Sequence, residues 1–148
     1  MRADQSLLVE ANEDLGASHF RLRVGAHDGG IASSARSSWE PGQFAMISVG
    51  QPEGSSDPLL RRPFSIFNLP ERPEGAIEIF YKILGRGTAL LSRVRPGDRL
   101  RVLWPLGNGF RPERPPGSRL LLVAGGIGSA SLHPLALQEL MSGGSPLM

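Results

Sequence analysis

GAIEIFYKILGRGTALLSRVRPGDRLRVLW, residues 75–104, sets two strand-like runs on either side of a glycine turn and a short helical stretch. GAIEIFYKIL (75–84) is rich in β-branched and aromatic residues and reads as a strand. RGTALLSRVR (86–95) carries its apolar residues at Leu90, Leu91 and Val94, the outline of a short helix. PGD (96–98) turns the chain into RLRVLW (99–104), another strand. Working outward towards the N-terminus, SLLVEAN (6–12) and HFRLRVGA (19–26) read as strands, the second setting Phe20, Leu22 and Val24 against Arg21 and Arg23. PGQFAMISVG (41–50) and RPFSIFN (62–68) add two more, separated by the polar loops HDGGIASSARSSW (27–39) and QPEGSSDP (51–58). Six short strands at this spacing with one short helix predict a mainly β fold, a small antiparallel barrel.

The pattern changes after residue 110. RPERPPGS (111–118) is a proline-rich connector that continues neither period. RLLLVAGGIG (119–128) is a continuous apolar run ending in glycines, as a buried parallel strand would be. SLHPLALQELM (131–141) follows as a predicted helix. Strand, glycine turn and helix form the first half of a βαβ unit, and a parallel strand needs a partner reached by a crossover. The expectation is a barrel domain over 1–112, a linker over 113–118 and the incomplete start of a second, doubly wound domain over 119–148. A β-hairpin with a tail is the alternative.

Composition narrows the chemistry. The 148 residues are 40% hydrophobic and 20% charged, and Gly 19 with Pro 13 favours strands and turns over a helical bundle. The net charge of +2 is too small to argue for nucleic acid or an anionic membrane surface as partner, with the arginines spread along the chain. Cysteine is absent, which removes disulfides, thiolate catalysis and cysteine-ligated zinc or iron–sulfur clusters from these residues. His19, His27 and His133 lie far apart, without metal-ligand spacing. No apolar run approaches the ~18 residues of a membrane span, and the polar start does not resemble a signal peptide, so a cytoplasmic address is expected.

Three stretches carry candidate chemistry. In RRPFSIF, Pro63 biases Arg62 towards an extended backbone at the entry to a strand. Arginine offers phosphate a planar fork, phenylalanine a stacking face and serine a small hydroxyl. Strict alternation places Arg62 and Phe64 on one side and Ser65 on the other, so a shared ligand and an exposed arginine pair beside a core strand both remain open. In YKILGRGTALL, Gly85 and Gly87 bracket a turn and Thr88 stands at a helix start, where phosphate or a plain strand-to-helix turn would each suit. In AGGIGSAS (124–131), Gly126, Gly128 and Ser131 give G-x-G-x-x-S between a strand and a helix, the context of a dinucleotide turn or of tight strand–helix packing. His133 is expected in the first turn of the last helix, solvated or capping.

Taken in order, RRPFS, YKILGRGT, PLGNGF and LLVAGGIGSASLHPL resemble the ferredoxin–NADP reductase superfamily, and within it the dihydroorotate dehydrogenase electron-transfer subunits. The resemblance covers most of residues 6–141. It implies a six-stranded Greek-key barrel that binds FAD, followed by a Rossmann-like α/β domain that binds NAD(H). By motif, Arg62 would hold the flavin's phosphate region, with Pro63 and Phe64 shaping its bed and Ser65 near the reactive edge of the ring. Phe80, Tyr81 and Lys82 would line the flavin largely through main chain, Gly87 and Thr88 would form the pyrophosphate turn, and Gly125, Gly126 and Gly128 would open the nicotinamide domain. Phe64 stands where the wider superfamily has a hydroxyl-bearing aromatic, and Ser131 where the family often has proline. The resemblance further implies NAD(P)H oxidation through FAD towards a 2Fe–2S cluster, whose cysteines would lie outside this chain. A catalytic dehydrogenase partner in a hetero-oligomer and a place in pyrimidine biosynthesis are implied with it. No catalytic side chain and no metal ligand is expected among these residues. A hydrogenase- or oxygenase-associated reductase subunit, or a flavin-free barrel used for docking, are the competing readings.

Overall fold

The computed structural model describes residues 3–26, 38–49, 60–68, 76–113, 115 and 117–143. The strands are β1 (Ala3–Gly16), β2 (His19–Gly25), β3 (Phe44–Ile47), β4 (Arg62–Ser65), β5 (Ile77–Lys82) and β6 (Arg99–Leu106). Helix α1 (Arg86–Leu91) lies between β5 and β6, and α2 (Ser129–Met141) follows a 3-10 turn at Gly126–Gly128. All strand pairs are antiparallel, in the order β4-β3-β6-β1-β2-β5.

The two ends of this sheet meet. Phe67 and Asn68, just past β4, donate their backbone N–H groups to the Glu78 carbonyl at 2.8 and 3.3 Å, and the Glu78 N–H returns to the Asn68 carbonyl at 2.9 Å. This isolated bridge joins the two ends of the sheet and closes it into a barrel at that point. The Glu78 side chain fastens the same seam, accepting from Arg23 Nε at 2.9 Å and from Asn68 Nδ2 at 3.0 Å. Its burial pushes the Glu78 carboxyl upward, but the Arg23 and Asn68 hydrogen bonds outweigh that and hold it below its ordinary value.

Alternation puts one set of side chains inside. Leu22 and Val24 of β2, Ile77 and Ile79 of β5, Val102 and Trp104 of β6 and Ile47 of β3 are all fully buried. Each such aliphatic side chain contributes roughly 1.5–3 kcal/mol by leaving water. Arg21 and Arg23 point out between them, as expected from the sequence.

Three expectations are corrected in detail. The strand read over 41–50 shortens to Phe44–Ile47, because Gly42 turns the chain at φ +96°. The helix read over 86–95 ends at Leu91 and continues as a turn. The apolar run 119–124 forms no ladder beyond a single-residue bridge at Leu121, since among the described residues no strand lies alongside it to pair. Leu122 instead packs on Leu135 and Ala136 of α2, a small cluster apart from the barrel core. The loop expected over 27–39 falls outside the described residues except at 38 and 39, and the loop over 51–58 does so entirely.

Candidate functional site

The site grows from the polar network that seats α1 at one end of the barrel. Asn12 on β1 donates from Nδ2 to the carbonyls of Leu91 at 2.9 Å and Val94 at 3.2 Å, at and just past the end of the helix. Its Oδ1 accepts from the Tyr81 hydroxyl at 3.0 Å. Tyr81 is fully buried, stacked on Phe20 at 5.4 Å, and burial pushes its phenol up to about 12, so it is neutral at physiological pH. At the start of the helix the Thr88 hydroxyl accepts from the Leu84 and Gly85 N–H groups at 2.9 and 3.2 Å and donates to the Gly85 carbonyl at 3.0 Å. The turn is thus held from inside by a side chain rather than by chance packing.

Against this fixed turn lies Arg62. A Cβ built on Gly87 would fall 3.0 Å from Arg62 Nε and 3.3 Å from its Cγ, with Val49 at 3.5 Å. The arginine at the entry of β4 and the glycine of α1 therefore touch, 25 residues apart in sequence, at one place on the rim of the barrel. Arg62 is half-buried there, and its Nη1 donates to the Leu60 carbonyl at 2.7 Å in an exposed hydrogen bond. Gly87 is buried while Gly85 faces open space, so only the second glycine of the turn is required by a close neighbour.

The remaining sequence candidates separate into three groups. Phe64 turns inward, 9% exposed, with its ring edge-on to Tyr81 at 5.9 Å. The Phe64 ring is thus part of the core cluster together with Tyr81. Pro63 is exposed opposite Met46, and Ser65 is half-buried opposite Phe44. Phe80 lies on the outer wall, stacked on His19 at 5.7 Å and tilted against Phe67 at 5.8 Å, while Lys82 is half-buried opposite His19.

The glycines of the second segment lie elsewhere but not far. The 3-10 turn Gly126–Gly128 rests against β5. Gly126 takes φ +56°, and a Cβ at Gly125, Gly126 or Gly128 would meet nothing within 4 Å, so the turn is open to a ligand or to further chain. The hydroxyls of Ser129 and Ser131 donate to the Gly126 and Gly128 carbonyls, both at 2.9 Å. Between α2 and the outer barrel wall runs an apolar groove of about 860 Å³, lined by Phe67 and Phe80 on one side and Leu122, Leu132 and His133 on the other. His133 is neither solvated nor capping: its Nδ1 lies 3.0 Å from the Phe67 carbonyl and its ring stacks on Phe67. Asn12, Val49 and Phe67 were not singled out in the sequence, since nothing local marks a contact to a partner 79 residues away such as Asn12 to Leu91.

Comparison with known proteins decides the lineage. The electron transfer subunit of dihydroorotate dehydrogenase B (NAD(+)) from Bacillus caldolyticus is 50% identical over 100 residues, 67% of this chain and 37% of that protein. The chain is a relative of the dihydroorotate dehydrogenase electron transfer subunits. It spans a little over a third of their length, 37% for the Bacillus caldolyticus protein. Among solved structures, an NADH-dependent reduced ferredoxin–NADP oxidoreductase described for flavin-based electron bifurcation superposes with a TM-score of 0.69 at 26% identity, over 88% of this chain and 42% of that one. The ferredoxin reductase of carbazole 1,9a-dioxygenase shares the fold with a TM-score of 0.75 at 24% identity, over 99% of this chain and 41% of that one. No protein-family model matches. The six-stranded barrel expected from the ferredoxin–NADP reductase resemblance is the fold of these neighbours. Among the described residues no helix is long and apolar enough to cross a membrane, and no group of His, Asp and Glu could hold a metal ion.

Proposed function

We infer that this chain is the flavin-binding part of an NAD(P)H-dependent electron-transfer subunit of the dihydroorotate dehydrogenase type. In this reading residues 1–112 form the FAD barrel, 113–118 a linker and 119–148 the start of an NAD-binding domain. The observation that carries it is the contact of Arg62 with Gly87. A planar, permanently charged fork beside a backbone that lacks a side chain suits a diphosphate, which needs both charge and close approach. One carbonyl contact, to Leu60, accounts for one of the guanidinium's five N–H donors. Each charged hydrogen bond is worth ~1.5–3 kcal/mol, against ~0.3–1 kcal/mol for a helix-dipole contribution, so Arg62 outweighs the turn.

The residues present fit FAD, and each has a task. Arg62 binds and neutralises the diphosphate, Gly87 leaves room for the Arg62 side chain that does so, and Thr88 holds the turn in shape. Pro63 sets the angle at which β4 enters. Ser65, Phe80, Tyr81 and Lys82 offer main chain and small polar groups along the ring system, and Phe64 and Tyr81 stiffen the wall behind them. Bound flavin supplies hydride acceptance and one-electron release, so no side-chain acid or base is required. Gly125, Gly126 and Gly128 would take the nicotinamide dinucleotide in the complete protein. With no cysteine, the chain offers no thiolate to a 2Fe–2S cluster, and a cluster would draw on residues outside it. A catalytic dehydrogenase subunit as partner and a cytoplasmic address complete the reading. Identity of 50% to a dihydroorotate dehydrogenase subunit supports this type over a hydrogenase- or oxygenase-associated reductase. The test is to mix the purified chain with FAD, desalt it and record the visible spectrum. Retained yellow flavin is expected, and a colourless protein eliminates the reading in favour of a docking barrel.

A further inference from the structure

His133 sits where α2 meets the seam that closes the barrel. Its Nδ1 is 3.0 Å from the Phe67 carbonyl, and the two rings stack at 4.1 Å with only 18° between their planes. Phe67 is itself anchored, its N–H donating to the Glu78 carbonyl at 2.8 Å. A carbonyl oxygen can only accept, so Nδ1 must carry the proton, and the neutral ring is thereby fixed as the Nδ1–H tautomer. Imidazolium would donate through the same atom. The apolar contacts of α2 are of another kind: Leu135 and Ala136 pack on Leu122 within their own segment, apart from the barrel core. Contacts of that kind tie the helix to its own run, whereas the His133 bond is a directional contact to the closing seam.

We propose that His133 is a positioning residue, a latch whose Nδ1–H bond fixes α2 to the closing seam and so sets the width of the groove and the place of the Gly126–Gly128 turn beside β5. The latch stands on contacts within the chain, while its use in bringing a nucleotide towards flavin rests on the proposed function. Three substitutions separate the donor from mere bulk. His133→Asn keeps an amide donor at the position of Nδ1, His133→Gln carries it one bond too far, and His133→Phe keeps the stack without a donor.

Hydrogen exchange on the 148-residue chain, read by mass spectrometry over residues 129–141 and 66–79, reports docking. Loss of one hydrogen bond should speed exchange in the helix about two- to tenfold in His133→Gln and His133→Phe. His133→Asn should stay near wild type. Trp39, which lines a hollow of about 450 Å³ together with Pro134, Leu137 and Gln138, should become more accessible to acrylamide in the same two variants. Equal exchange in all four proteins, or an Asn variant as loose as the Phe variant, overturns the latch. FAD retention measured on the same samples is a separate readout: a wild-type chain without flavin overturns the flavin reading and leaves the exchange pattern to decide the latch.

Discussion

Gly87→Ala separates the site from the fold. Position 87 is the second residue of α1, where alanine is intrinsically the better helix former by up to about 1 kcal/mol. Nothing in its backbone forbids a side chain, because its φ lies outside the left-handed region. The added methyl, however, would stand 3.0 Å from Arg62 Nε and 3.3 Å from Arg62 Cγ, so the arginine must swing aside. The gain in helix propensity and the cost of the shift nearly offset, and the unliganded melting temperature should move by no more than about 2–4 °C. Binding should respond very differently. Displacing the guanidinium from one charged hydrogen bond removes ~1.5–3 kcal/mol, which is about ten- to 150-fold in the FAD dissociation constant. Gly85→Ala is the internal control, since a Cβ there meets nothing within 4 Å and its φ of −176° is extended backbone that any residue adopts. The assay is flavin fluorescence quenching on titration, paired with thermal melts without FAD. Gly87→Ala binding FAD as tightly as Gly85→Ala would refute the idea that this glycine exists to leave room for the Arg62 side chain that holds the cofactor.

Three further outcomes are expected. Asn12→Ala removes the side-chain donor to the Leu91 and Val94 carbonyls and the acceptor of the Tyr81 hydroxyl, and should cost about 2–3 kcal/mol, lowering the melting temperature by roughly 5–10 °C. Because Glu78 is held below its ordinary value of 4.5 in the folded state, its contribution is present above that pH and is lost as pH falls through the lowered value. Glu78→Gln should therefore flatten the stability profile on the acid side of pH 4.5, as measured by denaturant unfolding, and an unchanged slope would remove Glu78 from the acid response. Val123 and Leu121 are 79% and 66% exposed, an apolar strip that invites self-association. Val123→Lys should reduce aggregation in light scattering without altering FAD retention.

Much of this fold was legible because period-two alternation survives in the barrel. Phe20, Leu22 and Val24 face in, and Arg21 and Arg23 face out, as the letters alone indicated. The closure at Phe67, Asn68 and Glu78 was not legible, since it joins chain positions that no local pattern relates. Alternation placed Arg62 and Phe64 on one side correctly, yet it could not foresee their different fates. At the rim Arg62 runs along the helix, whereas two residues later Phe64 is already inside against Tyr81. The apolar run at 119–124 carries a strand's composition without a ladder, because a strand is made by its neighbour and composition supplies none. His133 looked like an ordinary residue of a first helical turn. Only the approach of the seam gave its ring a carbonyl to meet.

The central claim is that Arg62 and Gly87 together hold the phosphates of a flavin dinucleotide. Side-by-side calorimetric titration of FAD into the wild-type chain and into Arg62→Ala tests it most directly. Saturable binding that weakens about tenfold or more on removal of the guanidinium is the result this account predicts. Equal affinity in the two proteins would contradict it.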